Sequence, residues 1–139
     1  PLLNKFFAEE YAPKNWVPPE VYELLPKFRK AGYTLAVLSN RRSPFMDVMD
    51  ELSLTEHFDA VMFAGEVGSW KPDPEVFTPL LERFKLAPEE TLYIGDNYYA
   101  DVVGSRKAGL VPVLYDPRGI FPEADCARIT SFTELGDIL

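Results

Sequence analysis

The sequence predicts an open, mostly parallel α/β sheet with helices on both faces, and three observations carry that expectation. Four short apolar runs recur, Leu35 to Leu38, Ala60 to Ala64, Leu92 to Ile94 and Val111 to Tyr115, each bounded by Gly, Asn, Asp or Pro. Continuous rather than alternating apolar residues mark strands buried on both faces. Helical patterns lie between these runs, and strand and helix in alternation build βαβ units with right-handed crossovers. The third observation is size: 139 residues, 47% of them hydrophobic, make one domain. A chain of that length buries roughly two thirds of its unfolded surface.

Ala12 to Pro19 holds three prolines and reads as a linker, which sets residues 1–17, with Phe6, Phe7, Tyr11 and Trp16, apart from a core at 18–139. Val21, Leu24, Leu25 and Phe28 follow i, i+3, i+4, i+7 spacing, and Gly32 stands where a left-handed C-terminal cap is wanted. This helix leads into the first strand. Ser43 and Pro44 then read as the N-cap and first residue of a second helix. Asp73 and Pro74 read the same way for a third, whose apolar face is Val76, Phe77, Leu80, Leu81 and Phe84. Pro26 and Pro79 fall inside two of these patterns, where each removes a backbone hydrogen bond, so kinked or shortened helices are expected. A further helix is expected from Asp101 to Ala108, stopped by Gly109. The tail from Arg128 offers a short strand and a helix over Phe132 to Leu139.

Composition removes several functions. Fourteen Lys and Arg against 22 Asp and Glu leave a net charge of −8. Binding to a nucleic-acid backbone needs clustered cations that this chain lacks. No apolar run approaches the ~20 residues of a membrane span. Cys126 is the only cysteine and His57 the only histidine. A disulfide within the chain, a Cys/His zinc site, and any nucleophile–histidine triad not built on His57 are therefore excluded. His57, beside Phe58 and ahead of a buried strand, reads as structural, and Cys126 as packing or surface. With no leader-like segment the chain reads as cytoplasmic, although it begins at Pro1 rather than Met.

In open parallel sheets, ligands bind beyond the carboxyl ends of the strands. Just past three successive strands stand Ser39 with Asn40, then Lys71, then Asp96 with Asp101. A hydroxyl, an amide, a cation and a carboxylate pair suit an anion held together with a divalent metal, and phosphate is the natural anion. The acidic pair alone would repel it, so charge balance calls for Mg²⁺ at Asp96 and Asp101, with Lys71 adding positive charge. The free N–H groups of the helix behind Ser43 would add donors. Each residue also has an ordinary reading: a strand-to-loop ending, a rigid loop, a turn at Gly95-Asp96-Asn97, an N-cap at Asp101. Trp16, Trp70, Tyr98 and Tyr99 are aromatic candidates for a substrate entrance, or for packing.

Leu-Ser-Asn at 38–40, Lys-Pro-Asp-Pro at 71–74, and Gly-Asp-Asn-x-x-x-Asp at 95–101 followed by Ala108 and Gly109 form a pattern in fixed order. It resembles the haloacid dehalogenase superfamily, in its phosphatase-like subfamily with a helical cap, from about Val17 to Leu139. The resemblance implies a Rossmann-like core and a cap remnant at residues 1–17. It implies that Ser39 bonds a transferring phosphoryl group, that Asn40 orients it, and that Lys71 balances charge on nucleophile and phosphate. Asp96 would ligate Mg²⁺, and Asp101 would either support the metal or hold Lys71.

The departure from the family pattern concerns the nucleophile. Such enzymes attack phosphorus with the first Asp of an Asp-x-Asp motif at the end of the first core strand. The nine aspartates here, 47, 50, 59, 73, 96, 101, 116, 125 and 137, include no such pair. The resemblance therefore implies that the first strand and the attacking Asp lie upstream of Pro1. The chain reads as the C-terminal part of a Mg²⁺-dependent hydrolase of a small phosphorylated molecule. Its missing strand would be supplied in trans, or its open edges would meet by self-association. A noncatalytic binding module and a haloacid dehalogenase are the alternatives.

Overall fold

The fold is seen in a computed structural model that describes residues 16–139. The expected cap remnant and linker at 1–17 thus fall almost wholly outside the described residues. In chain order the elements are α1 (Val21–Lys30), β1 (Ala36–Ser39), α2 (Met46–Glu51), β2 (Ala60–Phe63), α3 (Ala64–Val67), α4 (Thr78–Phe84), β3 (Leu92–Gly95), α5 (Gly104–Lys107), β4 (Val111–Tyr115) and β5 (Ala127–Ile129). Short 3-10 turns at Thr55–His57, Pro74–Phe77, Pro88–Glu90 and Phe132–Asp137 and a π-helical turn at Tyr98–Val103 join them. No described helix is long and apolar enough to cross a membrane.

Every strand pair is parallel, as the apolar runs predict, yet the strands form two sheets. In one, β1 lies beside β2, with Ala36 opposite Ala60 and Ser39 opposite Phe63. In the other the order is β3-β4-β5. Helical packing on both faces holds the halves together. One cluster joins Leu38, Met62 and Ala64 of the first half to Val76, Phe77 and Tyr93. On the other face Phe28 of α1 packs with Leu92, Val113, Ile129 and Leu135.

Between β1 and β3 lies a slot. Both strands line a cavity of about 590 Å³ that Val21, Leu24 and Phe28 of α1 cover. Leu35 gives both backbone groups to the β2 side: its carbonyl accepts from Asp59 N at 2.7 Å and its N–H donates to Asp59 Oδ2 at 2.9 Å. Since backbone groups alternate sides along a strand, those of Ala36 and Leu38 turn toward the slot. Thr91 O accepts from Val111 N at 2.9 Å, so Leu92 and Ile94 turn toward the slot from the other side.

Local chemistry explains where the helices differ from expectation. Ser43 is not an N-cap: α2 begins at Met46, after Phe45 in a non-helical conformation and without a side-chain cap. Phe45 packs edge-on against Phe63, 5.1 Å between ring centres, with the Arg41 guanidinium 4.3 Å from its ring. That tertiary contact holds residues 41–45 as a loop at the end of β2 and defeats the local cap. Asp73 does cap, accepting from Glu75 N at 3.0 Å. Its helix starts as a 3-10 turn and continues as α4 with Pro79 in the first turn, where its missing N–H has no intrahelical partner to lose. Pro26 is accommodated inside the ten residues of α1. The segment expected as one helix from Asp101 to Ala108 is the end of the π turn followed by α5, and its N-cap is Asn97. The tail after Ile129 forms a 3-10 turn rather than an α-helix, capped reciprocally by Ser131 and Glu134.

Two expectations follow. Amide hydrogen exchange should be at least about a hundredfold faster at Ala36, Leu38, Leu92 and Ile94 than along β4, because edge amides open without unfolding the domain. Equal protection would mean that the slot is closed in solution. The second concerns acid. Asp116 turns the loop after β4; burial raises its carboxyl pKa, but Phe121 N, Ile120 N and the Arg128 guanidinium outweigh this and hold it below the ordinary value. A depressed carboxylate stabilises the fold above its unfolded pKa of about 3.9 and loses that contribution as pH falls through the lower folded value. The urea midpoint of Asp116→Asn should therefore lie below wild type at pH 5, the gap narrowing toward pH 3.

Candidate active site

The carboxyl ends of β1 and β3 and the loop after α3 place the predicted residues on one edge. Ser39 is the last residue of β1 and Asn40 follows it. Asn40 grips the backbone of Lys71: its Nδ2 donates to Lys71 O at 3.0 Å and its Oδ1 accepts from Lys71 N at 2.8 Å. Because Lys71 N–H must meet an acceptor, this pairing also fixes which way the amide faces. The Lys71-Pro72 peptide is cis. Asn40 therefore seats the lysine loop.

The Lys71 ammonium meets Asp101 Oδ1 at 2.7 Å, the Tyr93 hydroxyl at 2.7 Å and Leu38 O at 3.4 Å. Both ends of the ion pair are buried, the Lys71 side chain 8% and the Asp101 side chain 7% exposed. Asp101 Oδ2 accepts from Asn97 N at 2.9 Å, so both carboxylate oxygens are engaged, and of the two roles considered for Asp101 this geometry matches holding Lys71. Asn97 anchors the π turn by accepting from Ala100 N at 2.9 Å, while its carbonyl takes Asp101 N at 2.8 Å. Gly95 makes room, since a Cβ there would collide with the Asp101 carboxylate.

Ser39 and Asp96 differ from this locked group. Ser39 is half-buried and Asp96 exposed, and among the described residues neither side chain is joined to a partner by a hydrogen bond or ion pair. Asp96 nonetheless belongs to the same edge. The Tyr93 hydroxyl is pushed far up by burial first, then by the carboxylates of Asp101 and Asp96. Tyr115 is raised by burial, then by Glu20 and Asp96. Mg²⁺ takes one or two carboxylates and keeps several waters. A free carboxylate at a strand end fits that need, and Asp96 is the residue that would hold the ion. No three His, Cys, Asp or Glu converge among the described residues.

Among the described residues the remaining candidates make no hydrogen bond within the Lys71 cluster. His57 sits in a 3-10 turn with Nε2 3.9 Å from the Glu56 carboxylate. Cys126 is a free, half-buried thiol, its pKa raised chiefly by burial. Tyr98 bonds Asp125 and stacks on Phe121, whereas Trp16, Trp70 and Tyr99 are exposed. Sequence reasoning missed Tyr93, whose only sign is a polar-tipped ring inside an apolar run, and the anchoring role of Asn97.

Parallel strands with a cation and carboxylates gathered at their carboxyl ends define an α/β protein of the class whose sites lie at that edge of the sheet. Within that class the chain belongs to the haloacid dehalogenase-like hydrolases, whose family model matches residues 3–114. A phosphoserine phosphatase of Thermus thermophilus is 41% identical over 123 residues, covering 88% of this chain and 48% of that protein. The crystal structure of a HAD phosphatase from Thermococcus onnurineus superposes with a TM-score of 0.78 at 28% identity, covering 88% of this chain and 57% of that one. A 2-haloacid dehalogenase from Pseudomonas syringae pv. Tomato gives the same TM-score and identity, covering 88% and 53%. The chain spans about half the length of the curated relatives it matches.

The geometry separates a structural ion pair from an exposed carboxylate. Removing one member of a buried pair strands the other charge at a cost of about 3–5 kcal/mol. Asp101→Ala should lower stability by that amount in urea denaturation, while Asp96→Ala should stay within about 0.5 kcal/mol of wild type. Similar losses from both would show that Asp96 too is structural.

Proposed function

We propose that this chain supplies the charge-balancing C-terminal part of a Mg²⁺-dependent phosphatase for a small phosphorylated molecule, with the attacking Asp on a segment outside it. The observation that carries this reading is Lys71, a buried cation clamped at the edge where, among the described residues, Ser39 and Asp96 keep their side chains unbonded. Phosphoryl transfer asks the protein mainly for positioning and electrostatic stabilisation. Ser39 would donate to a phosphoryl oxygen, and Asn40 would contribute by fixing the Lys71 loop. Lys71 would offset charge on phosphate and nucleophile, and Asp101 would hold Lys71 in place. Asp96 would hold Mg²⁺, which when bound supplies further positive charge at the phosphate.

The same reading gives the slot an occupant. Its edges carry backbone groups that want a parallel strand, and a strand entering there would end at Lys71 with its next residue among Ser39, Asn40 and Asp96. An attacking Asp belongs at that point. Unpaired buried backbone groups cost roughly 1–3 kcal/mol each, which favours filling the slot. Filling in trans by an N-terminal segment restores both the hydrogen-bond ladder and the nucleophile; edge-to-edge self-association restores the ladder only.

The test mixes the chain with a separately produced segment carrying an Asp-x-Asp strand and assays an aryl phosphate with Mg²⁺. The chain alone should show no turnover above Asp96→Ala, and the mixture should show turnover that a chelator abolishes. Turnover by the chain alone would reveal another nucleophile. Metal-independent halide release from a 2-haloacid by the mixture, without phosphatase activity, would select the dehalogenase reading instead.

A further inference from the structure

We propose that Tyr93 is a positioning residue for Lys71: its hydroxyl, itself held by the Leu38 carbonyl, accepts from the ammonium, and with Asp101 it fixes two N–H groups and leaves the third only loosely held and available to an anion at the strand ends. A lysine ammonium has three N–H donors and no acceptor, and a phenol has one donor. Lys71 Nζ is 2.7 Å from the Tyr93 oxygen, so the phenol must be the acceptor there, and its own proton goes to Leu38 O at 2.9 Å. That carbonyl has a second lone pair, yet with the ammonium held by Asp101 and Tyr93 its third N–H reaches Leu38 O only at 3.4 Å, beyond the ordinary range for an N–H···O bond. The other two N–H groups are well bonded, to Asp101 and to Tyr93 itself.

The core fixes where the hydroxyl stands. The Tyr93 ring packs edge-on against Phe77, 5.0 Å between centres, and Phe77 is 2% exposed within the cluster that also holds Leu38. The hydroxyl thus links a slot-facing carbonyl of β1, a side chain of β3 and the lysine loop, three pieces that no backbone hydrogen bond joins. Without it, the ammonium loses one of its two firm acceptors and is drawn toward Leu38 O, and the N–H that was loosely held is locked away from any ligand. The hydrogen-bond geometry is independent of the phosphatase reading, and only the identity of the anion rests on it.

Tyr93→Phe keeps the ring and its contact with Phe77, so it isolates the hydroxyl. The chain labelled with 15N at its lysines, without any ligand, reports the Lys71 ammonium by proton–nitrogen NMR. The Lys71 signal should move in Tyr93→Phe together with the Asp101 side-chain carboxyl carbon, and ammonium hydrogen exchange should change by about tenfold, the scale of one hydrogen bond to a charged group. Unchanged amide shifts along β4 would show that the fold is intact. A Lys71 signal and exchange rate identical to wild type would overturn the proposal, whatever the fate of the phosphatase reading. Where the trans-assembled enzyme is active, Tyr93→Phe should lower kcat with KM nearly constant. A loss confined to KM would count against positioning even with the NMR change present.

Discussion

A lysine ammonium sits where water barely reaches it, and that placement governs the surrounding structure. An ion in such a position needs an opposite charge and acceptors for every N–H. The counter-ion comes from Asp101, six residues past the end of β3. The chain makes a wide π-helical turn anchored by Asn97, which turns the Asp101 carboxylate back over Gly95 toward Lys71. Such turns recur at functional positions because they redirect a single side chain. From the other half of the molecule Asn40 holds the backbone of the same lysine. One cation thereby draws β1, the loop after α3, β3 and the π turn to a common point.

That convergence matters because the backbone does not provide it. The two sheets share no strand pairing. Apart from the apolar layers on either face, the contacts at the carboxyl edge are made by side chains: Tyr93 to Leu38, Lys71 to Tyr93 and Asp101. The amino-terminal side of the slot is closed differently, by α1. Tyr22 of that helix donates to Leu52 O at 2.7 Å and Arg29 to Glu56 O at 2.8 Å, tying it to the β1–β2 half, while Phe28 packs with the β3–β5 half. The slot is therefore bounded by a polar knot at one end and an apolar helix beneath.

How much of this the sequence reveals depends on the range of the physics involved. The strands were legible, because burial on both faces writes a continuous apolar run, and so was the rule placing Ser39, Asn40, Lys71 and Asp96 on one edge. The Asp73 cap was legible because it is decided within three residues. Ser43 offers the same local signal and fails, since the contact between Phe45 and Phe63 depends on a residue 18 positions further along. Asp101 could be read as cap, metal ligand or partner of Lys71; the choice turns on a π turn that leaves no mark in a 3.6-residue periodicity. Tyr93 was hidden by its success as a core residue, one edge of its ring buried like any phenylalanine and only its oxygen employed otherwise.

The division of labour at the strand ends follows from the same accounting of donors and acceptors. Lys71, Asp101, Asn40 and Asn97 satisfy one another and have little freedom, so the cation stands ready without reorganising. Ser39 and Asp96 are bound to nothing in the described residues and are therefore free to answer to something else. Preorganised charge beside unsatisfied donors and acceptors is what electrostatic stabilisation of a developing anion requires. On the function proposed above, the gap in the sheet and the unbonded side chains beside it call for the same partner, a parallel strand carrying a carboxylate at its end.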